Sequence, residues 1–248
     1  MPEINVKGLV NRVAPSVTAD GSYTFPRLNR YGEPVVAPSG RFPVSDEGQY
    51  FVATSSTPGT ALGVSGVVTA YSATVDGLLY IFNNDSAGTS AKRLYLDYIK
   101  IIVTVAPASG TSWMYSLEAD NTNRYSSGGI AVTPVNPNMD SGVATIAKVY
   151  APTGGTVITL TTATAAKRIV GVGRLRSVIP IAQDVLVLVF GRDSLPGGNS
   201  GATGAARYAE SCPPVVLGPQ QGLALNAWSP SNSITGPSFE LDMGWWER

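Results

Sequence analysis

The chain has 248 residues, enough for one large β domain or two small ones with a sizeable core. Its 17 Lys and Arg balance 17 Asp and Glu, and charged residues are only 14% of the total. A neutral chain with scattered cations offers no electrostatic footprint for nucleic acid and no polybasic patch for a membrane, and its low charge protects weakly against association, as suits a protein that lives in an assembly.

There is no histidine, and the one cysteine, Cys212, allows no intrachain disulfide. Cys212 reads as a small, partly buried residue. The start, MPEINVKGLVNRV, lacks the long apolar core of a leader. The most apolar run, Val178 to Phe190, is too short to cross a membrane and carries Gln183 and Asp184. The expectation is a protein made and kept in a cytoplasm.

Residues 1–47 read as an arm. Pro15, Pro26, Pro34, Pro38 and Pro43 break any helix or long strand, while Val6, Leu9, Val10, Tyr23 and Phe25 make it too apolar for a free tail. Arg12, Arg27, Arg30 and Arg41 give it a basic body. Two readings stay open: an extended arm lying over its own or a neighbouring surface, or a meandering loop region with a short edge strand.

Strands begin after Gly48. Gln49–Thr54 is the first, and Ser55–Gly63 is a loop around Pro58-Gly59. Val64–Val75 is a further strand, broken near Tyr71. Asp76-Gly77 turns the chain into Leu78–Phe82, a buried run. Arg93–Val105 is the longest strand. Leu94, Leu96 and Tyr98 share one face, and the phase then shifts to Ile99, Ile101 and Val103, which predicts a bulge near Asp97-Tyr98; an amphipathic helix over Lys92 to Ile102 is the competing reading, against which the β-branched tail argues. Trp113–Leu117 follows. Asp120–Ser141 reads as a long polar loop, and Val143–Tyr150, Thr156–Thr161, Lys167–Val172 and Asp184–Phe190 read as strands. Asp193–Pro213 is a second long loop. Three strands close the chain: Pro214–Leu217, Leu223–Trp228, and a run in which Phe239, Leu241, Met243 and Trp245 alternate with Ser238, Glu240, Asp242 and Gly244. No helix and no repeat emerges. Residues 48–248 are expected to form one all-β, antiparallel β-sandwich, jelly-roll-like, behind the extended N-terminal arm.

The sites that chemistry needs are thin. Gly198-Asn199-Ser200-Gly201 is similar to a serine-protease nucleophile loop, but no histidine exists to take the proton. Glu118 and Asp120 with Asn121 and Asn123 form a cluster of oxygens without the spacing of a calcium loop. Gly171-Val172-Gly173 is a fragment of a dinucleotide motif, with Arg176 at the third glycine position. Glu240 and Asp242 share a strand face, where acids are ordinarily solvated. No catalytic residue, cofactor or metal is therefore expected. Strand parity puts Trp245 in the core and turns Trp246 outward, so Trp246 and Arg248 are interface candidates beside Arg12, Arg27, Arg30 and Arg41.

A histidine-free, Cys-poor, Gly/Ala/Thr/Val-rich β protein with an arm, the segment Tyr50-Phe51-Val52-Ala53-Thr54 and an ending PPVVLGPQQGLAL…FELDMGWWER resembles tailed-bacteriophage virion proteins, most of all the jelly-roll cement or decoration proteins. The closing segment alone carries the resemblance as a pattern. It implies a non-enzymatic virion component on the capsid surface, a trimer or dimer whose partner is the major capsid protein. The arm and sandwich edges would bridge neighbouring capsid subunits, each bridge adding apolar burial at ~25 cal/mol per Å². The alternative is a receptor- or glycan-binding module of a tail fibre or baseplate, with loops 120–141 and 193–213 as the binding surface. A hydrolase on a β-sandwich is the third reading, disfavoured by the missing histidine.

Overall fold

The computed structural model describes residues 45, 47–55, 62–63, 71–74, 77–86, 88, 91–107, 112–153, 156–175, 181–191, 207–230 and 237–248. Every regular element among them is a strand: β1 (Tyr50–Thr54), β2 (Leu62–Gly63), β3 (Gly77–Asn83), β4 (Leu94–Val105), β5 (Met114–Asp120), β6 (Tyr125–Ser127), β7 (Ile130–Val132), β8 (Ala147–Ala151), β9 (Thr159–Leu160), β10 (Arg168–Arg174), β11 (Val185–Phe190), β12 (Arg207–Cys212), β13 (Val216–Leu217), β14 (Gly222–Trp228) and β15 (Ser238–Glu247). Apart from Ser45 and Glu47, the segment read as an arm lies outside the described residues, and with it Arg12, Arg27, Arg30 and Arg41. Most of Val64–Val75 lies outside them too.

Two sheets face each other. One runs β1-β15-β4-β11-β12, with β2 on β15 and β13 on β4; the other runs β10-β5-β14-β3-β8-β7. The chain alternates between them. Its first half, β1, β3, β4 and β5, pairs antiparallel with its second half: β1 with β15, β3 with β14, β4 with β11, β5 with β10. The cross pairs β15–β4 and β14–β5 complete the wrap. A long double strand rolled up in this way is the jelly-roll arrangement, so the all-β sandwich expected from the sequence is what forms.

One pair departs from it. β11 and β12 run parallel from Val185↔Arg207 to Phe190↔Cys212. A parallel neighbour needs a long return connection, and residues 191–206 supply it. The sequence reading placed all of 193–213 in a loop; its last third is instead a strand.

The core lies between the sheets. Phe51, Ile99, Ile101, Leu188, Phe239, Met243 and Trp245 face Ile81, Leu117, Val149, Leu223 and Leu225. The bulge near Asp97 is present: Gly244 pairs with Tyr98 and Trp245 with Leu96, leaving Asp97 as the extra residue. It re-aims the strand so that Leu94 and Leu96, then Ile99, Ile101 and Val103, all point inward. Tyr98 faces outward, not inward with Leu94 and Leu96 as the alternation suggested.

A third, smaller layer sits on the six-stranded sheet. β6 and β9 pair with each other and cover Tyr80, Phe82 and Ala224 with Tyr125, Ile158 and Leu160. All seven residues of β3 are consequently buried, inner Leu79 and Ile81 by the sandwich and outer Tyr80 and Phe82 by this roof. An unbroken apolar run is the sequence such a strand requires. The segment 120–141, read as a loop, contributes β6 and β7. It also guards an edge: Val52 and Val135 exchange backbone hydrogen bonds of 2.9 and 2.8 Å, and Asn136 Nδ2 donates to the Gly48 carbonyl at 2.8 Å.

Candidate functional site

The closing strand presents two different faces. Trp245 is fully buried, stacked on Phe51 at 6.2 Å, and its Nε1 donates to Glu247 Oε1 at 3.2 Å. Trp246 points the other way and is half-buried, as strand parity requires. On that outer face a row crosses four strands: Tyr50 pairs with Trp246, Trp246 with Tyr95, and Tyr95 with Val216. The Tyr95 and Trp246 rings stack at 5.7 Å with an interplanar angle of 1°. Val216 is exposed.

The next position holds a glycine for a steric reason. A Cβ on Gly244 would lie 2.4 Å from the Tyr50 hydroxyl and 2.6 Å from a Tyr98 ring carbon. Tyr50 donates to Asp97 Oδ2 at 2.7 Å, which satisfies the bulged carboxylate. Beyond it, Asp242 accepts from Tyr98 at 2.8 Å and Lys100 at 2.8 Å. Asp242 is thus held in an ion pair on the outer face. Arg248 is exposed and lies 3.8 Å from Glu47, while its backbone exchanges hydrogen bonds with Arg93. Trp246 and Arg248 therefore sit at one end of this face, Trp246 in the row and Arg248 beside it.

The oxygens read as a weak calcium cluster are engaged elsewhere. Glu118 and Asp120 project from β5 onto the outer face of the six-stranded sheet and are buried. Glu118 Oε1 accepts from Tyr71 at 2.5 Å and Ser116 at 2.9 Å; its Oε2 lies 3.4 Å from Lys167 Nζ and 4.0 Å from Arg124 Nη1. Arg124 is itself 1% exposed and donates to the carbonyls of Ala73 and Thr161. Asp120 accepts from the Thr164 amide and hydroxyl and the Asn121 amide. Burial alone would raise its pKa, but those hydrogen bonds, with Arg124 nearby, hold it below the ordinary aspartate range. Burial pushes Tyr80 up to about 12, although its oxygen accepts from the Arg124 amide at 2.6 Å. Two carboxylates tied to two cations and three hydroxyls form a clasp between β5 and the segments 71–74 and 161–167. Among the described residues no group of acids, Cys or His could hold a metal ion.

The other readings resolve in the same way. Gly171-Val172-Gly173 lies on strand β10 and not in a phosphate loop; its glycines admit Leu117 and the Tyr115 ring, whose hydroxyl would be 2.6 Å from a Cβ on Gly173. The Tyr115 hydroxyl reaches across to hydrogen-bond Glu210 on β12. Burial, then that carboxylate, push the Tyr115 phenol far up. Cys212 is buried, and burial with Glu210 nearby raises its thiol to about 11. Gly198-Asn199-Ser200-Gly201 lies outside the described residues.

Sequence reading did not anticipate the burial of charged residues, Glu247 and Arg124 above all. Glu247 is 0% exposed and accepts from Thr145 Oγ1, the Ile146 amide and Trp245 Nε1, stapling residues 145–146 to the end of β15. Its parity matched Trp245 and could have revealed it. Arg124 had no such signal, because its partners come from four separate segments. Searches against protein-family models, curated proteins and solved structures gave no match for this chain.

Proposed function

We propose that the chain is a structural, non-enzymatic virion protein, a cement or decoration protein that binds the surface of a bacteriophage capsid shell. It bridges neighbouring copies of the major capsid protein, as a trimer or dimer, with residues 1–47 as a reaching arm and Arg12, Arg27, Arg30 and Arg41 meeting acidic surface. The observation that carries this reading is the outer-face row Tyr50–Trp246–Tyr95–Val216, aromatic and apolar, on a sheet face that β6 and β9 do not cover and where Trp246 and Tyr95 are half-buried and Val216 exposed. Trp and Tyr are residues that interfaces favour. The jelly-roll wrap is an architecture common among capsid domains, and the chain has no histidine for acid–base work near neutral pH.

The test is location and copy number. Quantitative mass spectrometry of separated heads and tails should place the chain in heads, at a fixed high ratio to the major capsid protein. Trp246→Ala, and a full chain with all four arm arginines changed to Ser, should each lower that ratio. Recovery only in tails, or in no particle fraction, would sink the reading.

A second reading, a glycan- or receptor-binding module of a tail fibre or baseplate, is favoured by the parallel Tyr95 and Trp246 rings, which offer a platform for a sugar face. Low copy number in tails with a clear glycan-array hit abolished by Trp246→Ala would select it.

A further inference from the structure

Four strands end the two sheets, and their edges are not alike. β1 is guarded by the Val52–Val135 bridge. β7 has three residues, too short to template much pairing. β12 has six residues and exposes no large apolar side chain. β10 has seven, reads RIVGVGR, and pairs only with β5 among the described residues. Ile169 and Val172 on it are 58% and 64% exposed. Natural sheets usually blunt an edge; leaving two large β-branched side chains on a long one is the opposite tendency.

The charges on this edge say what it can accept. Arg168 and Arg174 stand at its two ends, both exposed, and neither is paired with a carboxylate among the described residues. The bulge leaves Arg168 on the inner face, beside Ala119, and Arg174 on the outer face, beside Met114. A second β10 laid antiparallel about Gly171 would gather two cations at each end of the pair with no carboxylate between them, which like-charge repulsion disfavours. The bulge between Ile169 and Gly171 adds a kink that two copies would have to match. The edge is therefore built against itself and in favour of negative charge.

A cleft of about 360 Å³ opens beside the Arg168 end. Arg168, Val170, Ala119, Val215, Val216 and Leu217 line most of it. Asp120 also reaches it, but its oxygens are engaged by Thr164 and Asn121, so Arg168 is the charged group left to face an occupant. A free edge gives main-chain hydrogen bonds, and an adjoining pocket gives side-chain selectivity; together they are the two parts of recognition by strand addition.

We propose that β10 is a docking edge that accepts an extended segment of a partner protein as an added strand of the six-stranded sheet. The segment is apolar in its middle and carries a carboxylate at each end, one reaching Arg168 on the inner face and the other Arg174 on the outer face. An apolar side chain at its Arg168 end enters the cleft against Val170 and Val215. The inference rests on the edge, its arginines and the cleft, and stands independently of any role on a shell.

A random peptide-display library panned against the intact chain tests it. Captured segments should share a β-branched middle with Asp or Glu at both ends, and a synthetic peptide of that pattern should slow hydrogen exchange of the β10 amides. The double variant R168E/R174E, altered at two exposed positions, should bind that peptide about tenfold more weakly or worse and should select Lys- or Arg-ended segments in its place. Captured segments without acidic ends, undiminished binding to the double variant, or no captured segment at all would overturn the proposal. So would β10 protection that rises with protein concentration alone, because the occupant would then be a second copy.

Discussion

The outer faces of the two sheets carry similar residue types and use them in opposite ways. On the six-stranded sheet, tyrosines, acids and cations are closed in by β6, β9 and the segments 71–74 and 161–167, and they bond to one another. On the seven-stranded sheet, tyrosine and tryptophan form a half-buried row, and Lys100 and Asp242 pair where solvent still reaches both side chains. Residue chemistry alone does not separate structure from function here. What separates them, among the described residues, is the β6–β9 layer, which covers one face and not the other. Under it a buried charge network holds the fold; on the other face the Lys100–Asp242 pair stays in reach of solvent.

The sharpest way to break this contrast is to remove one member of each ion pair. Arg124→Met removes the buried cation shared by Glu118 and Asp120, leaving Lys167 as the one cation beside Glu118 among the described residues, and should cost about 3–5 kcal/mol in denaturant unfolding. Lys100→Met, on the open face, should cost about 1 kcal/mol or less. Equal losses would mean the two faces are not energetically distinct.

Gly244→Ala probes how tightly the open face is built. The added methyl meets the Tyr50 and Tyr98 rings, so a loss of about 1–3 kcal/mol is expected, measured by the same unfolding transition. A neutral result would show that the aromatic row can shift.

The roofed and interior groups also predict a pH profile. Tyr80 rises from 10.0 to about 12 and Cys212 from 9.0 to about 11 on folding, so the unfolded chain releases these protons first. Their stabilisation is complete below pH 9 and is lost as pH rises toward 12. Asp120 acts in reverse: its lowered pKa stabilises the fold above the ordinary aspartate value of 3.8 and that gain disappears as pH falls below it. Unfolding midpoints across pH should therefore fall at both ends, and Tyr80→Phe should flatten the alkaline limb.

Trp246→Ala should have a small effect on stability, about 0.5–1.5 kcal/mol for the lost ring stack with Tyr95, similar to Lys100→Met. Under the proposed shell-binding role its larger effect is on head occupancy. A large stability loss with unchanged occupancy would move Trp246 from the interface to the fold.

The elements legible in the sequence were those whose pattern is local. Leu78–Phe82 and Arg93–Val105 announce themselves as apolar runs, the change of parity before Ile99 marks the Asp97 bulge though it leaves the side of Tyr98 open, and the alternation from Phe239 separates Trp245 from Trp246. Elements created by distant partners were not legible. β6, with Tyr125, Ser126 and Ser127, is a strand only because Thr159 and Leu160 lie beside it. β12 shows only Tyr208 and Cys212 toward the core, with Glu210 between them, and is a strand because β11 supplies a parallel neighbour. The clasp was invisible for the same reason: Glu118 looked like a loop oxygen until Arg124, Tyr71 and Lys167 were brought to it from separate parts of the chain.

The placement of β15 bears on how the molecule comes to exist. It lies between β1 and β4, yet it is synthesised after every other described strand. The hydrogen bond from Ser55 Oγ to the Leu241 carbonyl spans 186 positions. Until β15 emerges from the ribosome, β1 and β4 are two bare edges flanking a gap, with Phe51 and Ile101 exposed on the side Trp245 will cover. The central pairings of this sheet therefore all wait on its most C-terminal described strand. Such non-local closure is slow and leaves aggregation-prone edges waiting.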